Sequence, residues 1–406
     1  MMTSARRPRL FICSTLIVLF ATAATLLAAC GSEGEQQSST SGNDLQLVIG
    51  YPAALSGPYA CYDVPYLHGM EFAEKQINEN GGLDGVEVKI ETCDTKSDQS
   101  LAMTQVQKML DDDVGVFVLT MSEVSTGIGV YVTQQGAIAS VGGNSAPRIV
   151  YDLGPRGFML NYGDNVQAAG AADYCLEKGY KTAYVIGSPD NLYTKLIPLY
   201  FEDAYETGGG KVVVLDKYKV GQVEYGALVT KIKTTEPAPD VIFTPMFVPD
   251  FGAFMKQLRS AGVTTPVVTT DGNDTSFLVE SAGESVDGVV ITTDTFLGND
   301  GLPNEFLRDY RDLMGQAPES NILEALGRDQ VYCIAQAAAN AGSVDPDEIL
   351  AALQAMKDYP MVTGAYTYNP ECPVPSKPIT LVEMDGTEFT FLETFVPAHI
   401  PDPVVW

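Results

Sequence analysis

Residues 45–51 read Leu-Gln-Leu-Val-Ile-Gly-Tyr, a run that is apolar and favours β structure. Residues 65–80 follow, with Leu67, Met70, Ala73 and Ile77 on one helical face, and Gly81-Gly82 stops the helix. Val86, Val88 and Ile90 then alternate with Glu87, Lys89 and Glu91, a strand with one polar face. This strand–helix–strand unit decides the fold. Repeated βα units build a parallel sheet wound with helices on both faces.

The rhythm continues in both directions from there. Residues 100–110 read as a helix, and 114–120 and 137–141 as buried strands. It restarts after Asn161. Helices are expected at 165–179, 193–208, 225–234 and 250–262, and strands at 182–186, 212–218, 241–244, 267–270 and 289–293. A helical block covers 304–317, 323–341 and 346–357, and strands are expected around Tyr366 and at 379–384. Two successive βα sets predict an α/β protein of two doubly wound parallel-sheet lobes. Ligands of such sheets bind at the carboxyl ends of strands, so the expected site is the cleft between the lobes.

The chain has 406 residues, 52 acidic against 24 basic, a net charge of −28 and two histidines, His68 and His399. With 45 % hydrophobic residues it can bury a full core. Such a negative charge argues against nucleic acid and against anionic lipid surfaces as partners. Two histidines leave little for a His-rich metal site or a His-based relay, and His68 reads as a packing or rim residue. No Walker A loop, G-x-G-x-x-G, G-x-S-x-G or H-E-x-x-H occurs in a fitting context. No metal or cofactor is expected.

Arg6, Arg7 and Arg9 precede an apolar stretch, residues 10–29, that ends in Leu27-Ala28-Ala29-Cys30. A basic head, an apolar middle and small residues before a cut site are the layout of a secretory signal. The run alone could also span a bilayer as a helix of about 20 residues. Its ending on Cys resembles the lipobox of bacterial lipoproteins, which implies cleavage after Ala29 and a lipid on Cys30. Residues 33–43, Glu-Gly-Glu-Gln-Gln-Ser-Ser-Thr-Ser-Gly-Asn, read as a flexible tether. The expectation is an extracytoplasmic protein, with residues 1–29 as signal and 30–44 as anchor and tether.

Three strings occur in a fixed order: Leu55-Ser56-Gly57-Pro58; Ile77-Asn78 with Gly81-Gly82-Leu83-Asp84-Gly85; and Asp94 and Asp98 flanking Thr95-Lys96-Ser97. In this series the chain resembles extracellular solute-binding proteins of the leucine/isoleucine/valine-binding type, with the type I periplasmic-binding fold. The resemblance runs from about Leu45 to the C-terminus and is weaker in the last forty residues or so. It implies two lobes closing on a small ligand, one of 45–162 plus 296–362 and the other of 163–295 plus 363–406. Three crossovers would fall near 161–164, 294–295 and 362–364. It implies delivery to an ABC permease and no catalysis.

The resemblance also implies a ligand set. Ser122, after the third strand, would take an α-carboxylate, joined by Ser145 and the backbone of Gly143. Tyr193 would contribute from the second lobe. Asp271 would hold an ammonium. Tyr62, Phe247 and Met121 would form an apolar wall, with Phe247 standing where a Tyr is often found. The chemistry is coherent, because hydroxyls and N–H groups can hold a carboxylate without a buried cation. Each residue has a plainer reading too. Ser122, Ser145 and Asp271 suit turns or a helix cap, and Tyr62, Tyr193, Phe247 and Met121 suit packing.

Cys13 lies in the signal, and Cys30 would carry the lipid. Cys61, Cys93, Cys175, Cys333 and Cys372 remain, an odd number. Cys93 matches a position that is disulfide-bonded in some members of the type, but the partner position is Met121 here. A Cys61–Cys93 bridge is the expected replacement. Four functions are open to such a chain. The first is a lipid-anchored receptor of an ABC importer for an apolar or aromatic amino acid. The second is the same fold binding an amide, urea, or small aromatic or aliphatic acid. The third is an extracytoplasmic sensor, and the fourth an enzyme.

Overall fold

The computed structural model describes residues 45–120 and 122–403, with the side chains of 122–126 left aside. Cys30 and Met121 lie outside the described residues. The strands are β1 Leu45–Ala53, β2 Val86–Asp94, β3 Val116–Leu119, β4 Ile138–Val141, β5 Gly157–Met159, β6 Thr182–Gly187, β7 Lys211–Lys217, β8 Val241–Phe243, β9 Val267–Thr269, β10 Val290–Thr293, β11 Ile379–Asp385 and β12 Glu388–Phe395. The helices are α1 Ala60–Glu79, α2 Gln99–Asp111, α3 Ser122–Gln134, α4 Pro147–Leu153, α5 Asp164–Glu177, α6 Leu192–Thr207, α7 Gly226–Thr234, α8 Asp250–Ser260, α9 Ser276–Ala282, α10 Leu302–Met314, α11 Leu323–Ala341 and α12 Pro346–Gln354.

Two sheets organise the chain. The first is parallel, in the order β2-β1-β3-β4-β5. The second runs β12-β11-β10-β9-β8-β6-β7. It is parallel from β7 to β10 and antiparallel where β11 and β12 join. The polar face of β2 has a simple cause. The strand is an edge, and it buries Val86 and Val88 under α1 while Glu87 and Lys89 face water. Strands inside the sheets are apolar on both sides, because helices cover both faces. Each sheet carries its own core. Leu47, Ile49 and Tyr51 pack with Met70 of α1 and Ile334 of α11, and Ile242 and Ile291 pack with Phe254 of α8.

The chain passes from the first sheet to the second between β5 and α5. It returns after β10, since α11 packs on α1, and it reaches the second sheet again at β11. Every site loop described below leaves the carboxyl end of a parallel strand.

Several expectations need correction. Helix α1 starts at Ala60, not at Pro65, because the carbonyl of Tyr59 already accepts from the N–H groups of Tyr62 and Asp63. Pro65 lies inside the helix, in its second turn, and donates no N–H to the Cys61 carbonyl. No strand forms at Tyr366, which makes only an isolated bridge with Tyr359. The strand β12 and the helices α3 and α4 were not read from sequence. The expected Cys61–Cys93 bridge is absent, and both thiols are free. Cys61 lies in the first turn of α1, with its Sγ directed to the Pro58 carbonyl. Cys93 alternates with Thr92 and points to the other face of the sheet, against the cluster that holds Phe117 and Val132. Cys175, Cys333 and Cys372 are free as well.

Candidate functional site

The loops after β1, β4, β6, β8 and β9 converge, with the start of α11, on a cleft of about 710 Å³ counted out to the solvent at its mouth. From the first sheet come Tyr59, Tyr62, Gly143 and Ser145. From the second come Tyr193, Phe247, Asp271 and Gly272. Ile322, Leu323 and Leu326 close one side. None of the lining residues is Lys or Arg. An anion entering here must therefore be held by hydroxyls and N–H groups.

Asp271 opens a short 3-10 turn, Asp271–Asn273, directly after β9. Its Oδ1 accepts from the Tyr193 hydroxyl at 2.6 Å. That hydroxyl also lies 2.7 Å from Thr270 Oγ1 and accepts from the Gly272 N–H at 3.1 Å. Tyr193 is delivered by α6, whose N-cap Asn191 accepts from the Thr194 N–H at 2.9 Å. Burial pushes the Asp271 carboxyl up to about 6, against the pull of bonds from Tyr193, Gln167 and the Gly272 N–H. Burial and the neighbouring Asp271 push the Tyr193 phenol well above its ordinary value, so it stays a donor.

The aromatic wall is built edge to face. Phe247 meets Tyr62 at 6.4 Å and 77°, and Tyr193 at 6.2 Å and 71°. Opposite them, Gly143 takes φ +63°, and a Cβ there would come within 3.3 Å of the Tyr66 ring. Glycine is what lets this loop bend over the end of β4. The β1 loop is pinned by Asp63 of α1. Its carboxylate accepts from the Ala54 N–H at 2.7 Å and from Thr120 Oγ1 at 2.6 Å, which ties the ends of β1 and β3 together.

A glutamine joins the two sides. Gln167 of α5 donates from Nε2 to Ser145 Oγ at 3.2 Å and to Asp164 Oδ1 at 3.1 Å. Its Oε1 accepts from the Asp271 N–H at 3.4 Å and from Thr292 Oγ1 at 3.3 Å. Asp274, in the second sheet's loop, accepts from the Asn321 N–H at 3.2 Å just before α11.

Of the residues expected from sequence, the structure brings Tyr62, Gly143, Ser145, Tyr193, Phe247 and Asp271 together on this one cleft. Ser122 begins α3, and its side chain is outside the description, as is all of Met121. Sequence reasoning missed Tyr59, the α11 trio Ile322, Leu323 and Leu326, and Gln167. The N-cap Asn191, two residues before Tyr193, was a readable signal for the start of α6. The α11 residues carried no local signal at all.

The fold and this cleft define a two-sheet binding protein with its site at the strand ends. The chain belongs to the periplasmic binding protein family, whose profile matches residues 46–388. It is 26 % identical over 339 residues to the Leu/Ile/Val-binding protein homolog 1 of Brucella abortus, covering 80 % of this chain and 86 % of that one. Among solved structures it is similar to the branched-chain amino acid transporter substrate-binding protein of Streptococcus pneumoniae in complex with isoleucine. That likeness has a TM-score of 0.79 at 23 % identity, over 87 % of this chain and 100 % of that one. It is also similar to an ABC transporter solute-binding protein of R. palustris in complex with benzoate, with a TM-score of 0.75 at 19 % identity over 89 % and 99 %.

Proposed function

We propose that this chain is the solute-binding component of an ABC importer, held outside the cytoplasmic membrane by a lipid on Cys30, and that its ligand is an apolar or aromatic amino acid. One observation carries the ligand class. A half-buried carboxyl, Asp271, sits on the cleft beside an aromatic wall, with Gly143 and Ser145 on the other side and no cation among the lining residues. An α-amino acid fits this arrangement. Its ammonium meets Asp271, and its carboxylate meets Ser145 and the Gly143 backbone, with Ser122 in the role the resemblance gives it. Its side chain rests against Tyr62, Phe247 and the α11 residues. Closing the lobes completes the set, because neither half holds both charges. The closed form then hands the ligand to the permease, and the protein carries out no chemistry itself.

The isoleucine complex of the similar Streptococcus pneumoniae protein supports this reading. A second reading, a small aromatic acid, is favoured by the density of aromatic rings in the cleft and by the benzoate complex. Asp271 opposes it, since an ionised carboxylate repels a plain acid. A thermal-shift screen of the twenty amino acids, their amides and aromatic acids decides between them. A ligand at a hundredfold excess over Kd stabilises by about 2.7 kcal/mol. Shifts with leucine, isoleucine, valine or phenylalanine support the proposal. Shifts with benzoates and none with amino acids overturn the ligand class. Neighbouring permease genes separate import from sensing.

A further inference from the structure

Asp164 is the first residue of α5 and fully buried. Its N–H donates to the Ser145 carbonyl at 2.7 Å, so it is fixed directly behind the residue that lines the cleft. Its Oδ1 takes the N–H of Gln167 at 3.1 Å. Its Oδ2 is buried and has no hydrogen-bond partner among the described residues. A buried carboxylate oxygen without a donor is costly when charged and cheap when protonated.

The neighbouring amide has no freedom to help. Gln167 Oε1 is taken by the Asp271 N–H and Thr292 Oγ1, so its NH2 group must face Ser145 and Asp164. One of its hydrogens fills an acceptor site on Ser145 Oγ at 3.2 Å. The Ser145 hydroxyl hydrogen then has two directions, inward toward the Asp164 carboxyl, which shares the Gln167 amide with it, or outward to the cleft. In the ligand-free cleft an ionised carboxylate wins that hydrogen from water, since charge-assisted bonds are about twice as strong as neutral ones, and a ligand carboxylate must then compete for it. A neutral carboxyl makes no such claim.

We propose that Asp164 is a positioning residue that sets the direction of the Ser145 hydroxyl, its protonated form leaving that hydrogen free for a ligand carboxylate and its ionised form withdrawing it. This rests on the reading of the cleft as a site for a carboxylate-bearing ligand.

The charges around Asp164 support it. Burial pushes its carboxyl up to about 8, and Asp271 on the same side of the cleft adds to this, while the Gln167 bond and the nearby Ser145 hydroxyl pull it down. The positive end of α5 also favours the anion. Asp271 carries the Tyr193 hydroxyl, and the same field reaches Asp274. Asp294 also faces Asp271 and has Lys377 as its own counter-charge. Among the described groups around Asp164 itself, no cation touches it. A ligand carboxylate on Ser145 places a further negative charge one hydroxyl away and favours the protonated form again. Binding above about pH 8 therefore takes up a proton.

The test uses calorimetry with L-leucine and with benzoate as probes between pH 7 and pH 9. In the wild type, Kd rises about tenfold over this range, as ionisation of one group near 8 requires, with proton uptake visible as a buffer dependence of the heat. Asp164→Asn keeps the side chain's size and the acceptor for Gln167 but cannot ionise. Its Kd at pH 7 stays within about threefold of wild type, and the rise attributable to Asp164 disappears. Ser145→Ala, which removes the hydroxyl itself, weakens binding at pH 7 and also loses the rise. Equal pH profiles in wild type and Asp164→Asn overturn the proposal. Infrared difference spectra of the ligand-free protein separate this from failure of the functional reading. If neither probe binds, the reading of the cleft fails. The spectra then decide Asp164: a protonated carboxyl band in wild type at pH 7, absent from Asp164→Asn, supports its neutral form, and identical spectra overturn it.

Discussion

The hydroxyl of Tyr62, on α1 beside the first sheet, donates to the carbonyl of Gly272, 3.0 Å away in the loop after β9 of the second sheet. The two sides of the cleft are thus joined by a protein hydrogen bond at the aromatic wall. The same hydroxyl lies 3.4 Å from the Val248 carbonyl. Tyr62→Phe keeps the ring against Phe247 and removes the hydroxyl's contacts with the Gly272 and Val248 carbonyls. A hydrogen bond of this kind is worth about 0.5–1.5 kcal/mol. Ligand affinity is expected to fall roughly two- to tenfold, mainly through faster release. Stopped-flow fluorescence checks this, and an unchanged release rate would remove the bond from the closing device.

Asp271 should make amino-acid binding sensitive to acid. Its carboxyl titrates near 6 in the free protein, and an ammonium needs the ionised form. Below that pH the ligand must first displace a proton, so affinity drops by up to tenfold per pH unit. Asp271→Asn abolishes this dependence. It also costs about 3–5 kcal/mol of binding, the usual price of leaving one partner of a buried pair alone. Calorimetry from pH 5 to pH 7.5 measures both effects.

Gly272 is a steric test of the wall. A Cβ there would stand 2.9 Å from Phe247 Cβ and 3.1 Å from the Tyr193 hydroxyl. Gly272→Ala should displace both rings and weaken ligand binding at least tenfold, with a small change in Tm. Binding at the wild-type level would show that the wall yields.

The ligand-free protein is expected to be more stable in mild acid than in mild base. Burial raises Asp63, Asp271 and Asp274 to about 6, Glu324 to about 7, and Asp164 to about 8, while Asp294, raised by burial, and Lys377, lowered by burial, form a pair whose shifts oppose each other. Each ordinary value is 3.8 or 4.5, so the folded state binds more protons than the unfolded state between about pH 4 and pH 8. Their contribution is fully present below the unfolded values and is lost as pH rises through the folded ones. Asp216 and Asp240 are shifted down and act in the opposite sense, only below about pH 4. Tm should therefore be higher at pH 5.5 than at pH 8.5. Calorimetric scans without ligand check this, and a Tm that rises with pH contradicts it.

The fold was legible because nearly every parallel strand is an unbroken apolar run and the helices between them keep a 3.6-residue period. The strand-end residues of the cleft came from the resemblance, which lies cleanly on the chain because Ser145, Tyr193 and Asp271 each follow a readable strand. What was hidden depends on contacts far apart in sequence. Ile322 and Leu326 look like any helix start, and only the packing of α11 on α1 places them near Tyr62. Gln167 sits on a helix that reads as an alanine-rich core element, and its four partners come from four segments. Helix α1 was shortened because Pro65 looks like a start, while the turn that begins it is made by backbone alone. The Cys61–Cys93 expectation failed because nearness in the loops says nothing about which face of a sheet a side chain takes.

The antiparallel pair β11–β12 has a consequence for how the molecule is made. Strand β10 is complete by Thr293, yet its free edge is covered only by residues 379–385. During synthesis roughly ninety residues, enough for the whole α10–α12 block, emerge before that edge meets its partner. Until then the second sheet ends in unpaired N–H and C=O groups, a template for other chains. The last strands thus act as a completion seal, and a chain stopped short of Ile379 would be left with an adhesive edge.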